Sequence, residues 1–292
     1  MDRRILVFGN GYTGAAIARA ADAAGYAVSV TSRAPHGPGV IAFADAGEAI
    51  AVATHIVSTA PPGSQGDPVL AAYGANIRAA PLLRWVGYLS TTGVYGDRGG
   101  AWVDEGSAVA PGSDRARRRV AAEDAWRAAC GQVALDLFRV AGIYGPGRSA
   151  FDDLRAGRAR RVSKPGHEFG RIHRDDIAGA VLAAMEPDRP PGARVLHLAD
   201  DLPAESADVV AEAARLLGVA APPVRDYAEL APGMSDMARS FWAENRKVAS
   251  AVTQAALGRP WMYPTYHEGL CAILAEERQH GAREEGEVSR AR

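Results

Sequence analysis

Three glycines near the start of the chain have the spacing that binds phosphate groups in a strand–turn–helix segment. Residues 9–14 read GNGYTG; they follow a short apolar run, Ile5 to Phe8, and precede an alanine-rich stretch without proline. In such a segment Gly9 permits the tight turn, Gly11 lets the backbone approach a pyrophosphate, and Gly14 lets the helix pack on the strand. The N–H groups at the start of the helix then bind the phosphates. The residues expected to bind a dinucleotide here are Gly9, Asn10, Gly11, Tyr12, Thr13 and Gly14.

The end of the second predicted strand indicates which dinucleotide is bound. Residues 30–33 read VTSR, without the carboxylate that binds the ribose 2′-hydroxyl in NAD sites. Arg33 can instead pair with a 2′-phosphate, to which Thr31 or Ser32 can donate a hydrogen bond. We therefore expect NADP in preference to NAD. The alternative is that Arg33 is a solvated loop arginine, which would leave NAD as the cofactor.

The hydrophobic pattern predicts the elements that position this turn. Short apolar runs lie at 5–8, 27–31, 40–43, 55–58, 86–90, 135–140 and 195–198. Helical or loop segments separate them, with helices predicted at 13–24, 175–185 and 207–217. This alternation predicts an α/β fold, a doubly wound parallel sheet of the Rossmann type with helices on both faces.

The same pattern predicts how the chain is divided. The dinucleotide-binding domain is expected in 1–165, with a late strand near 194–199, and a small C-terminal substrate lobe in 166–292 interleaves with it. Ligands of such sheets bind at the carboxyl ends of the strands. The residues that follow the fourth predicted strand are therefore expected to contact the cofactor: Ser58, Thr59, Ala60 and Pro61.

Composition excludes several classes of protein. The 292 residues carry a net charge of −1, which argues against nucleic-acid binding. The arginine-rich runs 115–119 and 155–164 are interpreted as solvated surfaces, because no aromatic residues interleave them.

The two cysteines, Cys130 and Cys271, form no CxxC pattern, so no metal site is expected. No apolar run is long enough for a signal peptide or a membrane span, which favours a cytoplasmic protein without a membrane partner. The charged segment from Glu276 onward is predicted to be disordered.

Four later segments carry a resemblance to a known family. They are LSTTGVYGD at 89–97, WVDEGSAVAPGS at 102–113, FRVAGIYGPGR at 138–148 and RIHRDDIAGAV at 171–181. In this order, after the glycine loop, they resemble the extended short-chain dehydrogenase/reductases, which include the NAD-dependent epimerases and dehydratases. The GxGYxG start is most similar to the atypical members. The resemblance implies a Rossmann domain, a nicotinamide cofactor and a small polar substrate, and it allows a homodimer formed by paired helices.

The resemblance also assigns candidate catalytic positions. Thr91 lies where the family has a catalytic Ser or Thr that hydrogen-bonds the reacting oxygen. The next two positions, acidic in the dehydratases, are Thr92 and Gly93, which disfavours sugar dehydration. The family's catalytic tyrosine and lysine, four residues apart, are replaced by Arg115 and Arg119. No YxxxK pattern exists anywhere in the chain.

The replaced pair removes a proton donor. The family's tyrosine exchanges a proton because a nearby ammonium lowers its pKa from about 10. An arginine has a pKa above about 12 and stays protonated, so Arg115 can act only as a fixed cation. Arg119 can still hydrogen-bond the nicotinamide ribose, as the family's lysine does. Candidate substitutes for the proton donor are Tyr95, Tyr144 and His173, each of which has an alternative interpretation as packed scaffold.

One further departure concerns the substrate. Sugar-nucleotide members grip a diphosphate with an arginine a few residues before the RIHRDD segment, and Phe169 occupies the matching position. The missing arginine weakens the argument for a nucleotide-sugar substrate. Arg171 and Arg174 lie nearby and could bind the diphosphate instead, so such a substrate is not excluded. Two functions remain open: an NAD(P)-dependent oxidoreductase or epimerase-like enzyme with a non-standard site, and a non-catalytic dinucleotide-binding regulator or sensor.

Overall fold

The computed structural model describes residues 3–185 and 188–290. The predicted ranges 1–165 and 166–292 also include residues 1–2, 186–187 and 291–292, which lie outside the described residues. The strands are β1 Arg4–Phe8, β2 Ala27–Ser32, β3 Val40–Ala42, β4 His55–Ser58, β5 Trp85–Thr91, β6 Trp102–Val103, β7 Ala134–Val140, β8 Gly142–Tyr144, β9 Arg161–Ser163, β10 Arg171–His173, β11 Gly192–Leu198, β12 Val224–Asp226 and β13 Lys247–Val248. The helices are α1 Tyr12–Ala23, α2 Ala46–Val52, α3 Pro68–Ala79, α4 Asp114–Ala129, α5 Ala150–Arg155, α6 Arg174–Met185, α7 Ser206–Leu217, α8 Tyr227–Leu230, α9 Asp236–Trp242, α10 Ala251–Leu257 and α11 Tyr266–Arg290.

Seven strands form one parallel sheet in the order β3-β2-β1-β4-β5-β7-β11. The strand order runs outward in both directions from β1 and β4. Such a reversal opens a crevice at the carboxyl ends of these two strands, which is where ligands of doubly wound sheets bind. The predicted α/β fold is confirmed. The predicted strand 55–58 coincides with β4, and the other predicted sheet strands differ from the observed bounds by at most three residues at either end.

The residues of β1 explain why this strand lies at the centre. Ile5 and Val7 face one core, which includes residues of α1 and α6. Leu6 and Phe8 face the other core, which includes residues of α2, α3 and α4. Successive side chains of a strand point to opposite faces, so a strand buried on both faces must be apolar throughout.

The second half of the chain returns to the sheet twice. Helix α6 packs beside α1, and β11 pairs with β7 at the sheet edge. The remaining elements form a smaller lobe, in which α5, α7 and α11 pack around Phe151, Tyr266 and Leu270. Three small parallel pairs, β8–β10, β9–β12 and β6–β13, connect this lobe to the ends of the central strands.

The prediction of disorder from Glu276 onward is wrong as far as Arg290, because α11 continues through this segment. The segment is rich in glutamate and arginine, which have high helix propensity. An ion pair between Arg155 and Glu277 joins the helix to α5. Within the described ranges, no helix is both long enough and apolar enough to cross a membrane.

Candidate functional site

The glycine turn between β1 and α1 has a geometry that other residues would not tolerate. Gly9 has a φ of 104°, and a Cβ there would lie 2.5 Å from Oγ1 of Thr59. A Cβ on Gly14 would overlap the carbonyl oxygen of Gly9. At Gly11, in contrast, a Cβ would meet no atom within 4 Å. The packing of the turn therefore requires glycine at positions 9 and 14, whereas Gly11 borders open space in front of α1.

Gly11 precedes α1 as its N-cap residue and has no side chain to cap the helix. The first N–H groups of a helix have no partner within the helix, and they bind phosphate oxygens when these are present. The turn itself is held by its neighbours. The N–H of Gly9 donates to Thr31 (3.1 Å), and the Thr59 hydroxyl donates to the carbonyl of Phe8 (2.9 Å). The site therefore fits a pyrophosphate.

Tyr12 links the glycine turn to the loop that follows β8. Its hydroxyl donates to the carbonyl of Pro146 (3.1 Å). The guanidinium groups of Arg148 and Arg174 lie over its ring, at 5.7 Å and 5.2 Å from the ring centre. The predicted cofactor residue Asn10 is exposed, whereas Thr13 is buried in the first turn of α1.

The residues after β2 lie beside the glycine turn, because β1 and β2 pair in register up to Phe8 and Thr31. The Ser32 hydroxyl closes a local turn with Ala34, accepting from its N–H at 3.2 Å. Arg33 is exposed and makes no ion pair or hydrogen bond with the described part of the chain. Its guanidinium is therefore available to an anion at this edge.

The residues after β4 lie on the other side of the turn, since β4 pairs with β1. The Ser58 hydroxyl is fully buried and has no hydrogen-bond partner among the described residues. Thr59 and Ala60 are half-buried and Pro61 is exposed. The structure thus brings together all three predicted cofactor segments at the carboxyl ends of β1, β2 and β4.

A cavity of about 620 Å³ opens at the carboxyl ends of β5 and β7. Thr91 lines it, and its hydroxyl oxygen accepts a hydrogen bond from the N–H of Gly93 (3.1 Å). That contact leaves the hydroxyl hydrogen free to donate to another oxygen. Ser90, by contrast, donates to the buried Glu123 carboxylate (2.5 Å).

Arg115 and Arg119 line the same cavity from α4. Ser113 caps this helix by accepting from the N–H of Ala116 (3.2 Å), and residues four apart then share one face. Arg119 donates to the Tyr88 hydroxyl and to the carbonyl of Leu89, both at 2.9 Å. Arg115 is exposed and has no partner in the described ranges.

Tyr95 does not line this cavity. The short 3₁₀ turn Thr92–Tyr95 directs its ring into the interior, where it is fully buried. Its hydroxyl contacts Arg139 (2.7 Å), His197 (2.5 Å) and the carbonyl of Asp104 (3.1 Å). Burial raises the pKa of Tyr95 above its usual value. The position therefore suits a structural side chain rather than a proton donor to Thr91.

Tyr144 and His173 form a second buried pair, with ring centres 5.2 Å apart. Tyr144 borders the cavity, but its hydroxyl is directed at the carbonyl of Thr265 (3.4 Å), and burial raises its pKa well above the usual range. His173 accepts from the N–H of Asp175 (3.2 Å) and packs on Tyr263. Burial lowers the pKa of His173 to about 4, so it stays neutral near pH 7.

Sequence reasoning missed two arginines of the cavity, Arg148 and Arg246, which line it together with Arg171. Arg171 donates to the carbonyls of Phe169 (2.8 Å) and Ala204 (3.0 Å), and Arg246 donates to the carbonyl of Gly96 (2.8 Å). Arg148 ends the quoted YGPGR segment, so its proximity to the site could have been anticipated. Arg246 reaches the cavity only because β13 pairs with β6, a contact that the sequence does not reveal.

The predicted substitutes for the missing diphosphate-binding arginine lie in different places. Phe169 lines the cavity, where its ring packs edge-on against Trp242 with 5.0 Å between centres. Arg171 borders the same cavity, whereas Arg174 pairs with Asp175 (2.9 Å) and stacks on Tyr12. Within the described part of the chain, no group of three histidine, cysteine, aspartate or glutamate residues is placed to hold a metal ion.

Comparison with solved structures identifies relatives of this fold. A protein from Silicibacter pomeroyi, described as conserved and of unknown function, is 42% identical, with 94% of this chain and 99% of that chain covered and a TM-score of 0.84. The human epimerase family protein SDR39U1, solved with NADPH, is 22% identical over 92% of this chain and 98% of that one, with a TM-score of 0.73. MoeE5, solved with UDP-glucuronic acid and NAD, is 18% identical over 95% and 99%, with a TM-score of 0.74.

No protein-family model matches the chain, and no curated protein sequence matches it either. The likeness to SDR39U1 and MoeE5 is one of fold, and it agrees with the motifs quoted above. The predicted resemblance is therefore confirmed. The chain belongs to the same family as the Silicibacter pomeroyi protein, and it has the fold of epimerase-like proteins such as SDR39U1.

Proposed function

We propose that the protein binds a nicotinamide dinucleotide across the carboxyl ends of β1 and β4, with NADP preferred to NAD. The uncapped start of α1 and the open space at Gly11 support binding of the pyrophosphate. The unpaired guanidinium of Arg33 after β2 supports the preference, because a 2′-phosphate is a stronger partner for it than a hydroxyl. SDR39U1, which has this fold, was solved with NADPH.

We propose that the bound cofactor serves an oxidoreductase or epimerase-like reaction on a small polar substrate. The observation that carries this proposal is the free hydroxyl hydrogen of Thr91 in a 620 Å³ cavity at the end of β5. The nicotinamide supplies or accepts a hydride when it is bound. Thr91 donates to the substrate oxygen, and Arg119, held by two hydrogen bonds against β5, borders the same space.

In this site, charge stabilisation by arginine takes the place of proton donation by a side chain. As negative charge develops on the substrate oxygen, the guanidinium of Arg119, held against β5 by two hydrogen bonds, lowers the energy of the transition state without giving up a proton. The proton then comes from solvent, which reaches the exposed Arg115 side of the cavity. We expect a rate below that of a site with a tyrosine donor, because general acid catalysis contributes roughly 10²–10⁴-fold.

A second candidate is a non-catalytic sensor of the dinucleotide. The observation in its favour is the burial of Tyr95 and His173 and the engaged hydroxyl of Tyr144. None of these three side chains presents a group that titrates near neutral pH to the cavity. A sensor needs the cofactor turn and no proton donor, and the cavity beside Thr91 would then serve to bind an effector.

Turnover separates the two candidates. We would measure oxidation of NADPH by the purified protein with a panel of small carbonyl compounds, using Thr91→Val as the matched variant. The oxidoreductase predicts turnover with at least one compound and a loss of roughly 100-fold in kcat/KM for Thr91→Val. Binding of NADPH without turnover across the panel, unchanged in the variant, would instead support the sensor.

A further inference from the structure

The cavity beside Thr91 is lined by an excess of positive charge. Five arginines border it, Arg115, Arg119, Arg148, Arg171 and Arg246, against two glutamates, Glu168 and Glu244. Both glutamates are already paired, Glu244 with Arg246 at 2.8 Å and Glu168 with Lys247 at 2.5 Å. Four arginines are left without a carboxylate at ion-pair distance among the described residues.

Most of this charge is not required by the cofactor. The phosphates of a dinucleotide are accounted for by the start of α1 and by Arg33, at the ends of β1 and β2. Arg148 lies over Tyr12 and so belongs with that region. Arg115 and Arg119 on α4 and Arg171 at the start of β10 instead line the cavity that borders Thr91. Their charge therefore faces the substrate.

The three remaining arginines differ in how they are held. Arg119 and Arg171 are held in position by hydrogen bonds to neutral acceptors. Arg115 makes no such contact among the described residues, and its planar fork is free to bind two oxygens of one anion. It also lies one helical turn before Arg119, on the face of α4 that borders the cavity.

We propose that the substrate or effector of this cavity is a small molecule with an oxyanion group, a carboxylate or a phosphate monoester, which binds Arg115 beside Thr91. The guanidinium that stands in place of the family's tyrosine is then a ligand-binding group. The rest of the molecule contacts the aromatic wall formed by Phe169 and Trp242, which line the same cavity. The inference deepens the function proposed above and rests on it only for the use of this cavity by a substrate.

The test uses two simple anions as probes. Sodium phosphate and sodium malonate are titrated into the cofactor-free protein at constant ionic strength, set with sodium chloride, and binding is followed by isothermal calorimetry. Arg115→Ala is compared with Arg118→Ala, since Arg118 is exposed on the same helix and does not line the cavity. Each variant removes one positive charge from the surface of α4. The effect of Arg118→Ala therefore measures the general attraction of anions to the protein, and any larger effect of Arg115→Ala is specific to the cavity.

We expect saturable binding of at least one probe, weakened at least tenfold by Arg115→Ala and less than twofold by Arg118→Ala. Binding of phosphate alone would assign the oxyanion to a phosphate monoester, and binding of malonate alone to a carboxylate. Equal weakening by the two variants, or no saturable binding of either probe, would overturn the proposal. Titration of NADPH into the same proteins tests the dinucleotide site separately from the anion site. Failure to bind NADPH would contradict the proposed function, whereas the binding of the two anions decides the proposal for Arg115.

Discussion

At the scale of single residues, the proposed site has Arg115 where the resembled family has a tyrosine, and this difference changes the chemistry open to it. A phenol can donate a proton and take it back, whereas a guanidinium remains charged at any pH the protein meets. The other ionisable groups near the cavity do not restore this ability. Tyr95 is bound within the interior by Arg139 and His197, and His173 is held neutral by burial. The polar groups that the cavity offers a substrate are therefore the Thr91 hydroxyl and the arginine side chains that line the same cavity.

In the proposed function, Arg33 sets the preference for NADP over NAD. Replacement by alanine removes the guanidinium that pairs with a 2′-phosphate, and a charge-assisted hydrogen bond contributes about 1.5–3 kcal/mol. We therefore predict that Arg33→Ala raises the Kd for NADPH by roughly 10- to 100-fold and leaves the Kd for NADH within about twofold. Arg19→Ala, which removes an exposed arginine from α1, is the control. An equal loss for both dinucleotides would contradict this role.

His173 makes the stability of the protein depend on pH. Burial lowers its pKa to about 4, whereas the pKa of a histidine in the unfolded chain is about 6.5. Between these values the unfolded chain binds a proton that the folded chain does not, so the free energy of unfolding falls as the pH falls from about 6.5 towards 4. The loss attributable to this group reaches about 3 kcal/mol.

Urea unfolding of the wild type and of His173→Gln, at pH 7 and pH 5, measures this contribution. Burial also lowers the pKa of His167 and of His197, so only the difference between the two proteins isolates the effect. The loss of stability between pH 7 and pH 5 should be smaller in the variant. An identical pH dependence in both proteins would show that folding does not change the pKa of His173.

At the scale of elements, two contacts hold the site in place: the close approach of α1 to the glycine turn, and a buried ion pair between α4 and β7. Glu123 on α4 accepts two hydrogen bonds from Arg139 on β7, at 2.7 Å and 3.1 Å, and one from Ser90 on β5. Both charged side chains are almost fully buried. This network fixes the helix that carries Arg115 and Arg119 relative to the strand that carries Thr91.

Removal of one partner from this network should therefore be costly. Glu123→Gln leaves the buried Arg139 cation without its counter-charge, which destabilises a protein by about 3–5 kcal/mol. Asp124→Asn is the control, because Asp124 is an exposed residue on the same helix that pairs with Arg127 at the surface. Denaturant unfolding should show the large loss for the first variant and less than about 1 kcal/mol for the second. Comparable losses would mean that the pair does not position α4.

The glycine turn allows a matched test at the same scale. A methyl group at Gly14 overlaps the Gly9 carbonyl, so Gly14→Ala must displace α1 from the turn and weaken dinucleotide binding at least tenfold. Gly47 lies within α2 and has no neighbour within 4 Å of an added Cβ. Gly47→Ala should instead raise stability by about 0.5–1 kcal/mol and leave binding unchanged. Wild-type affinity in Gly14→Ala would contradict the geometry of the turn.

At the scale of the whole molecule, features that depend on local sequence could be predicted, whereas features that depend on contacts between distant segments could not. Apolar runs such as 55–58 report burial on both faces of a sheet, which depends on local sequence, and these strands were predicted closely. Which side of a turn a tyrosine faces depends on the packing of distant segments. Tyr95 was therefore a candidate donor in the sequence, although it contacts His197 of β11 in the fold. Arg246 escaped attention for the same reason, since β13 brings it to the cavity from far along the chain.

The most direct test of the proposed function is a titration of the unmodified protein with NADPH and with NADH, followed by nicotinamide fluorescence and by the thermal unfolding midpoint. Saturable binding of NADPH is predicted, tighter than that of NADH, with about 2.7 kcal/mol of added stability at a concentration 100 times the Kd. Tighter binding of NADH would contradict the role assigned to Arg33. Binding of neither dinucleotide would contradict the assignment of the carboxyl ends of β1 and β4 as a cofactor site.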